Sequence, residues 1–408
     1  MTALFTATSA TCVTGLVAVD TALTWSVFGQ AVILLMIQIG GLGVMSITVV
    51  FYIAMKKQIG LSQRLLIMKS MGLKDVQGVV RLIRHVLLGT LFFEGIGALI
   101  LWFRFAPAFG LWGGLWAGVF HSVSAFCNGG FDIMGAAGGG PFSSLAAYSG
   151  DPVVMLTIIA LVILGGIGFF VWEDVWRTRG IKRLHVHSKI VLSSTLLLVL
   201  SGWAILYLAE RSNPLTIGMM PQRAAVFASL FQAVMPRSGG LSVVDQAALT
   251  GASRAIVIVL MLIGGSAGST AGGIKNATFA ILVISAFRSL RGKNRLSVFG
   301  RTIPPQQIIT ALAIMMFTLA SCLAGALAIA IIQPEVLFSG VIFETASAIA
   351  ICGLSQGVTP FLGPASLAVL IALMLLGRVG IMTFGMAAFL SGNRDDKLKS
   401  PDSWILMG

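Results

Sequence analysis

Thr11-Cys12-Val13-Thr14-Gly15 is the stretch on which the fold turns, and three weaker copies of it follow along the chain. They are Phe126-Cys127-Asn128-Gly129-Gly130, Pro236-Arg237-Ser238-Gly239-Gly240 and Ile349-Ala350-Ile351-Cys352-Gly353. The terminal glycines lie 115, 110 and 113 residues apart, which is a repeat period. The match extends backwards: Phe5, Phe120 and Phe343 stand ten residues before their glycines, and Ser9-Ala10, Ser124-Ala125 and Ser347-Ala348 six and five before. It also extends forwards, to Leu16, Phe131, Leu241 and Leu354. A short apolar segment ending in a glycine turn with small or polar neighbours reads as a re-entrant loop. Within a bilayer such irregular backbone survives only where protein buries it or where it lines a wet path. Four such loops around one axis would present stacked rings of backbone carbonyls to a dehydrated cation.

Composition places these loops in a membrane. Hydrophobic residues make up 57% of the 408, charged residues only 10%, and the mean hydropathy is +0.97. The expectation is an all-α polytopic membrane protein. The formal charge of +13 would suggest nucleic acid only if the basic residues clustered on a soluble surface. They sit instead in short loops between apolar spans, so no nucleic-acid partner is expected. Cys12, Cys127, Cys322 and Cys352 show neither disulfide nor metal spacing.

The apolar spans fall at roughly 27–54, 83–103, 152–174, 189–209, 252–286, 307–332 and 364–390, with pore segments at 115–127, 222–235 and 338–350. Residues 58–82 read as an amphipathic basic connector on the membrane surface. Four parallel helix–pore loop–helix units result: 1–57, 58–175 with the connector, 176–287 with a broken second helix, and 288–408 with a tail. By repeat symmetry, the first unit reads as lacking its leading helix. Twenty of the 27 Lys and Arg fall in three loops and the tail, all on one side, against five on the other. The positive-inside rule makes the basic loops and C-terminus cytoplasmic. All units share one orientation, unlike inverted-repeat transporters.

A second repeated feature follows each loop: Gly40-Gly41-Leu42-Gly43, Gly165-Gly166-Ile167-Gly168, Gly264-Gly265-Ser266-Ala267 and Gly377-Arg378-Val379-Gly380. In the first two units it reads as close helix packing through small residues. The third continues as Gly268, Ser269, Thr270, Ala271, Gly272, Gly273, Ile274 and Lys275, too many glycines for a helix in lipid, so the span should break beside a wet cavity. The fourth replaces a glycine by Arg378, and an intramembrane arginine is a functional candidate by default.

Together these residues resemble the Trk/Ktr/HKT superfamily of potassium transporters, over essentially the whole chain and closer to the Ktr-type membrane subunit than to the longer Trk type. Thr11, Cys12, Val13, Thr14 and Gly15 look like that family's first filter segment, and Gly264 to Gly273 with Lys275 like its intramembrane gating loop. The resemblance implies uptake of K⁺ across the plasma (inner) membrane, with Na⁺ as a candidate stimulating ion and no cofactor in this chain. It implies K⁺ bound only by filter backbone carbonyls, a homodimer in membrane lipid, and a cytoplasmic ring of nucleotide-binding regulatory subunits. By repeat, the other filter residues are Cys127, Asn128, Gly129 and Gly130; Arg237, Ser238, Gly239 and Gly240; and Ala350, Ile351, Cys352 and Gly353. The extra glycine of the second segment should loosen that quarter of the ring.

Cation passage also follows from the residues: carbonyls are cation ligands, and the pore segments would aim their negative helix ends at the centre. Asp20 and Asp245, each five residues after a loop glycine, fit either a cation-concentrating mouth or turn caps. Arg237 is expected to point away from the pore and brace the filter against Glu344 or Asp132. Arg378 is expected to bond backbone carbonyls of the Gly264–Lys275 loop. His85, His121, His185 and His187 show no metal spacing. The run ending in Lys275 is no nucleotide P-loop, because glycine and lysine are not adjacent. A secondary transporter using the broken third-unit helix as a midplane site is the alternative reading, opposed by the parallel repeats. An enzyme is not expected, for lack of HExxH, paired intramembrane carboxylates or a Ser/His arrangement.

Overall fold

The computed structural model describes residues 1–43, 79–136, 140–178, 180–292 and 297–379. The described chain is almost wholly helical. In order the helices are α1 Thr2–Cys12, α2 Thr21–Thr24, α3 Val27–Leu42, α4 Val79–Phe126, α5 Pro152–Ile167, α6 Phe169–Thr178 and α7 Val186–Glu210. There follow α8 Gln222–Val234, α9 Gly251–Leu262, α10 Asn276–Leu290, α11 Pro305–Ile332, α12 Phe338–Ala350 and α13 Pro364–Val379. A two-residue hairpin, β1 Ser297–Val298 against β2 Arg301–Thr302, sits in the third basic loop. Most of the basic connector, the second half of the 27–54 span, and everything after Val379, including the basic tail, lie outside the described residues.

Most of the sequence boundaries recur within a few residues, and α4 absorbs both a span and a pore segment. Its two halves meet at Gly110, whose φ of 72° no helix contains, three residues after Pro107. The outgoing helices begin where a side chain captures orphan backbone donors. Ser26 accepts from Gly29 N, Asp151 from Val153 N and Val154 N, and Thr250 from Ser253 N. Long helices such as α7 and α11 keep exposed Leu, Ile and Met on their outer faces, as lipid contact requires. The pore helices do the opposite: α12 is buried along nearly its whole length, because other helices surround it.

The helices close into a ring. Each pore helix packs against the outgoing helix of the preceding unit: the second half of α4 on α3, α8 on α5, α12 on α9, and α1 on α13. That last contact joins the first unit to the fourth. Phe5, Phe120 and Phe343, the repeated phenylalanines, are each fully buried in the core that results. The molecule is a multi-pass membrane protein.

One expectation about the helices needs correction. The span at 152–174 is not continuous; α5 and α6 meet at 92°. The hinge is Gly168, φ 101°, where an added Cβ would lie 2.8 Å from Ala267 O. The third-unit loop presses against the second unit there, and only glycine fits both the dihedral and the gap.

Candidate ion pathway and gate

The four glycine segments adopt one conformation four times. Two residues before each glycine the backbone is left-handed: Val13 at φ 61°, Asn128 at 58°, Ser238 at 68° and Ile351 at 55°. The glycines follow with φ of 93°, 67°, 68° and 95° for Gly15, Gly130, Gly240 and Gly353. In the first and fourth segments the left-handed residue caps its pore helix in a Schellman-like turn. Thr14 N donates to Ser9 O, Gly129 N to Ser124 O and Cys352 N to Ser347 O, five residues back, whereas α8 ends earlier, capped at Met235, and Gly239 N reaches Met235 O, four back. For β-branched Val13 and Ile351 this region is costly, which marks a backbone held by its surroundings.

The glycines meet at the centre of the ring. A Cβ on Gly15 would lie 2.7 Å from Gly129 O, and one on Gly240 would lie 2.6 Å from Cys352 O. One on Gly130 would meet Gly240 Cα at 2.9 Å and Thr14 O at 3.3 Å, and one on Gly353 would strike Thr14 O. Side chains are excluded at all four positions, because backbone atoms of the neighbouring segments fill the space a Cβ would need. Gly129, expected to loosen its quarter, is instead tightly packed, with Ile37 Cγ2 2.9 Å from where its Cβ would be.

Above the ring opens a vestibule of about 400 Å³, floored by Gly15, Gly130, Gly240 and Gly353 and walled in part by Asp20, Asp132 and Asp245. Asp20 and Asp245 also cap turns: Asp20 accepts from Ala22 N, Leu23 N and Phe142 N, and Asp245 from Ala247 N. Burial, reinforced by the charge of Asp20, pushes the Asp132 carboxyl up to about 6.

Below the ring runs the glycine-rich stretch, and it is not helical. Ile263 and Ile274 form a parallel bridge, with Gly264 N donating to Ile274 O (3.0 Å) and Ile274 N to Leu262 O (3.0 Å), so the loop is pinched at its base. Gly265 accepts from Asn276 N at 2.9 Å, closing the same neck. The excursion is tied across to the second unit: Ser266 N to Gly166 O, Thr270 N to Gly165 O, Phe169 N to Gly268 O, and Thr270 Oγ1 to Phe126 O. Ser269 Oγ and Lys275 Nζ close bonds inside the loop, to Ser266 O and Ala271 O. Gly272 N donates to Ser238 Oγ, and an added Cβ there would meet Ala350 O at 2.8 Å. Arg378 Nη1 donates to Thr270 O at 3.0 Å, and its Nη2 to Gly40 O. The loop thus touches residues of the second, third and fourth segments, and Arg378 links it to the first unit.

The paired glycines of the outgoing helices have a local task that spacing alone does not show. A Cβ at Gly40 would strike Thr11 O, one at Gly165 would strike Phe126 O, and one at Gly377 would strike Ile349 O. Each is the carbonyl four residues before the segment's glycine. Gly264 departs from this pattern: its neighbour is Gly272 O, within its own loop.

Arg237 does not pair with Glu344 or Asp132. Its Nη2 lies 3.5 Å from both Thr195 Oγ1 and Gly264 O, while Glu344 accepts from Ser355 Oγ, Gln356 N and Thr359 Oγ1. The fourth-segment carboxylate fastens its own outer loop, and the arginine faces away from it, toward the loop below. Sequence reading also passed over Glu94, a buried carboxylate bonded to Gln38 Nε2 (3.2 Å) and Cys127 Sγ (3.6 Å). The signal was available, since it is an acidic residue inside the 83–103 span. Among the described residues no group of three or more His, Cys, Asp or Glu could hold a metal; His121 is spent on Ala117 O and Ile133 N.

Four short helices whose glycine ends converge below one vestibule, with a glycine-rich loop beneath them, are the arrangement that the comparisons address. The chain belongs to the TrkH family of cation transport proteins, whose family profile matches residues 1–394. It is 38% identical over 412 residues to the potassium/sodium uptake protein NtpJ of Enterococcus hirae, covering all of this chain and 89% of that one. It is 38% identical to the Ktr system potassium uptake protein B of Bacillus subtilis, with the same coverage, and 35% identical to that of Vibrio alginolyticus, covering 88% of it. The fold matches the crystal structure of the potassium transporter TrkH from Vibrio parahaemolyticus with a TM-score of 0.74 at 16% identity, over 94% of this chain and 77% of that one.

Proposed function

We propose that this chain carries K⁺ into the cell through a filter built from the four glycine segments and gated by the Gly264–Lys275 loop. The observation that supports it most is the mutual exclusion of side chains at Gly15, Gly130, Gly240 and Gly353, which leaves carbonyl oxygens as the ligands on the axis. Relatives at 35–38% identity are named as potassium uptake proteins, one of them for sodium as well, which makes Na⁺ the candidate co-ion. The loop lies under the ring and is held there by Arg378, so it bars the path until those bonds part. In this reading the filter residues and loop residues named above act through their backbones, and Arg378 acts as the latch. The four units run as the sequence divides them, 1–57, 58–175, 176–287 and 288–408. The basic loops and C-terminus face the cytoplasm.

Three relatives carry the word system in their names, which favours a multi-component assembly. We assign this chain the role of its membrane-embedded subunit, working as a homodimer in lipid over a cytoplasmic nucleotide-binding ring. The test is ⁸⁶Rb⁺ or K⁺ flux into proteoliposomes with Na⁺ and Li⁺ as competitors. Flux competed by K⁺ and Rb⁺ well ahead of Li⁺ is expected. Coupled uptake of an organic solute without K⁺ flux would overturn the assignment in favour of a secondary transporter.

A further inference from the structure

Three of the four filter segments are braced by their own pore helix; the third is braced by the loop beneath it. Six residues before the glycine, the first, second and fourth segments carry a serine. Gly15 N donates to Ser9 Oγ at 3.1 Å and Gly353 N to Ser347 Oγ at 3.0 Å, while Ser124 Oγ donates to Phe131 O at 2.7 Å. In each case one hydroxyl ties the back of the filter to the helix that presents it. The third segment has Val234 at this place, which can make no such bond, and Gly240 N falls back on Met235 O at 3.3 Å.

What the third segment has instead are two side-chain links to the loop. Ser238, the left-handed residue, accepts from Gly272 N at 3.2 Å. Arg237, 7% exposed, reaches Gly264 O with Nη2. Gly264 and Gly272 are the two strands of the loop's neck, brought together by the Gly264–Ile274 and Ile274–Leu262 bonds. Thr195 extends the grip, since it lies within reach of Arg237 Nη2 and accepts from Asn276 Nδ2 at 2.8 Å just beyond the neck. The equivalents of Arg237 and Ser238 in the other segments are Cys12 and Val13, Cys127 and Asn128, and Ala350 and Ile351. Among the described residues none of these bonds the loop through its side chain.

We infer that filter and gate are energetically coupled through the third segment, with Arg237 and Ser238 as the positioning residues that transmit it. The inference rests on the gate reading above and adds to it. When the neck parts from Ser238 and Arg237, the third quarter of the ring loses the brace that the other three keep. Displacing the loop therefore relaxes discrimination between K⁺ and Na⁺, and by reciprocity a K⁺ held in the filter favours the closed loop by the same factor.

The test compares flux and K⁺/Na⁺ discrimination in the full chain reconstituted in proteoliposomes. Ser238→Ala removes the acceptor for Gly272 N; discrimination should fall by roughly three- to tenfold, the range of one buried hydrogen bond. Deleting residues 266–272 should raise flux and lower discrimination together. Val234→Ser in that deletion supplies the serine brace of the other segments, and discrimination should recover while flux stays raised. If the deletion raises flux with discrimination unaltered, or if Val234→Ser recovers nothing, the coupling is wrong and the gate stands. If the deletion leaves flux unaltered, the gate assignment fails, and loss and rescue of discrimination alone decide the coupling.

Discussion

Val13 and Ile351 hold left-handed backbone at φ 61° and 55°, a conformation that costs a β-branched residue on the order of 1–2 kcal/mol. That strain is tolerated because each sits between a pore-helix turn and a glycine that has no room to move. A serine at Gly15 or Gly353 would place a Cβ against backbone of the neighbouring segments at φ above 90°. K⁺/Na⁺ discrimination in such variants should fall by about tenfold, the ratio that ~1.4 kcal/mol of differential binding gives; competition assays unchanged in both would remove these glycines from the filter. Arg378 invites a paired substitution. Its guanidinium both anchors the loop to Thr270 O and Gly40 O and places a charge under the filter. At ~5 Å and an effective dielectric of ~20 the repulsion on K⁺ is roughly 3 kcal/mol before water screens it. Arg378→Ala should therefore raise flux, and Arg378→Gln, which keeps one donor, should raise it less. Neither changing at equal insertion would take Arg378 out of the gate. Asp132 sets a pH dependence at the mouth. Its carboxyl, lifted to about 6, is charged above that pH and neutral below it, so K⁺ capture from dilute solution should weaken as pH falls from 7 to 5. At a separation on the order of 10 Å and a dielectric of ~40 the charge is worth about 0.8 kcal/mol, roughly fourfold in occupancy. Asp132→Asn should show the low-pH behaviour at every pH, and a residual titration near 6 in that variant would assign it elsewhere.

The elements divide into those that carry the four glycine segments, the proposed filter, and those that carry the loop. Pore helices α1, α8, α12 and the second half of α4 are short and end just before a glycine turn, because only their last turn has to reach the centre of the ring. Outgoing helices approach them closely at Gly40, Gly165 and Gly377, where any side chain would push out the carbonyl that starts the filter. The third outgoing helix gives up this contact and becomes α9, a loop and α10. The bend between α5 and α6 follows from the same departure: Phe169 N donates to Gly268 O, so the second unit turns aside where the loop lands. A loop shortened between Gly265 and Gly272 should pass K⁺ at a higher maximal rate with correct insertion. Transport no faster than that of the intact chain would reduce the loop to a structural kink.

At the scale of the molecule, closure of the ring by α1 on α13 makes the four units one body, so a pore can run along its axis without an exposed edge. In the orientation proposed above, the vestibule faces outward and the basic loops face the cytoplasm. A passive K⁺ path in this orientation should respond to membrane potential, with about 2.3 kcal/mol per charge for each 100 mV of full drop. Rb⁺ uptake into proteoliposomes should rise when an inside-negative potential is imposed with a protonophore and a pH gradient. Uptake indifferent to that potential would rule out electrogenic flow and point to exchange or symport of compensating charge.

The sequence determined what local chemistry can encode. Its four glycine segments, their 110–115-residue period and the apolar spans are all patterns of neighbouring residues, and each fixes an element without reference to distant contacts. Even the break of the third span was legible, because a run of glycines cannot hold a helix in lipid whatever surrounds it. Tertiary structure decided where isolated polar groups find partners. Arg237 turned to Gly264 O and Thr195 rather than to a carboxylate, Glu94 met Gln38 and Cys127, and the second span bent at Gly168 to receive the loop. Each of these depends on which residues from remote parts of the chain share a desolvated pocket. In the low dielectric of the interior, a polar group takes the nearest partner of correct geometry, and only the assembled ring sets which one is nearest.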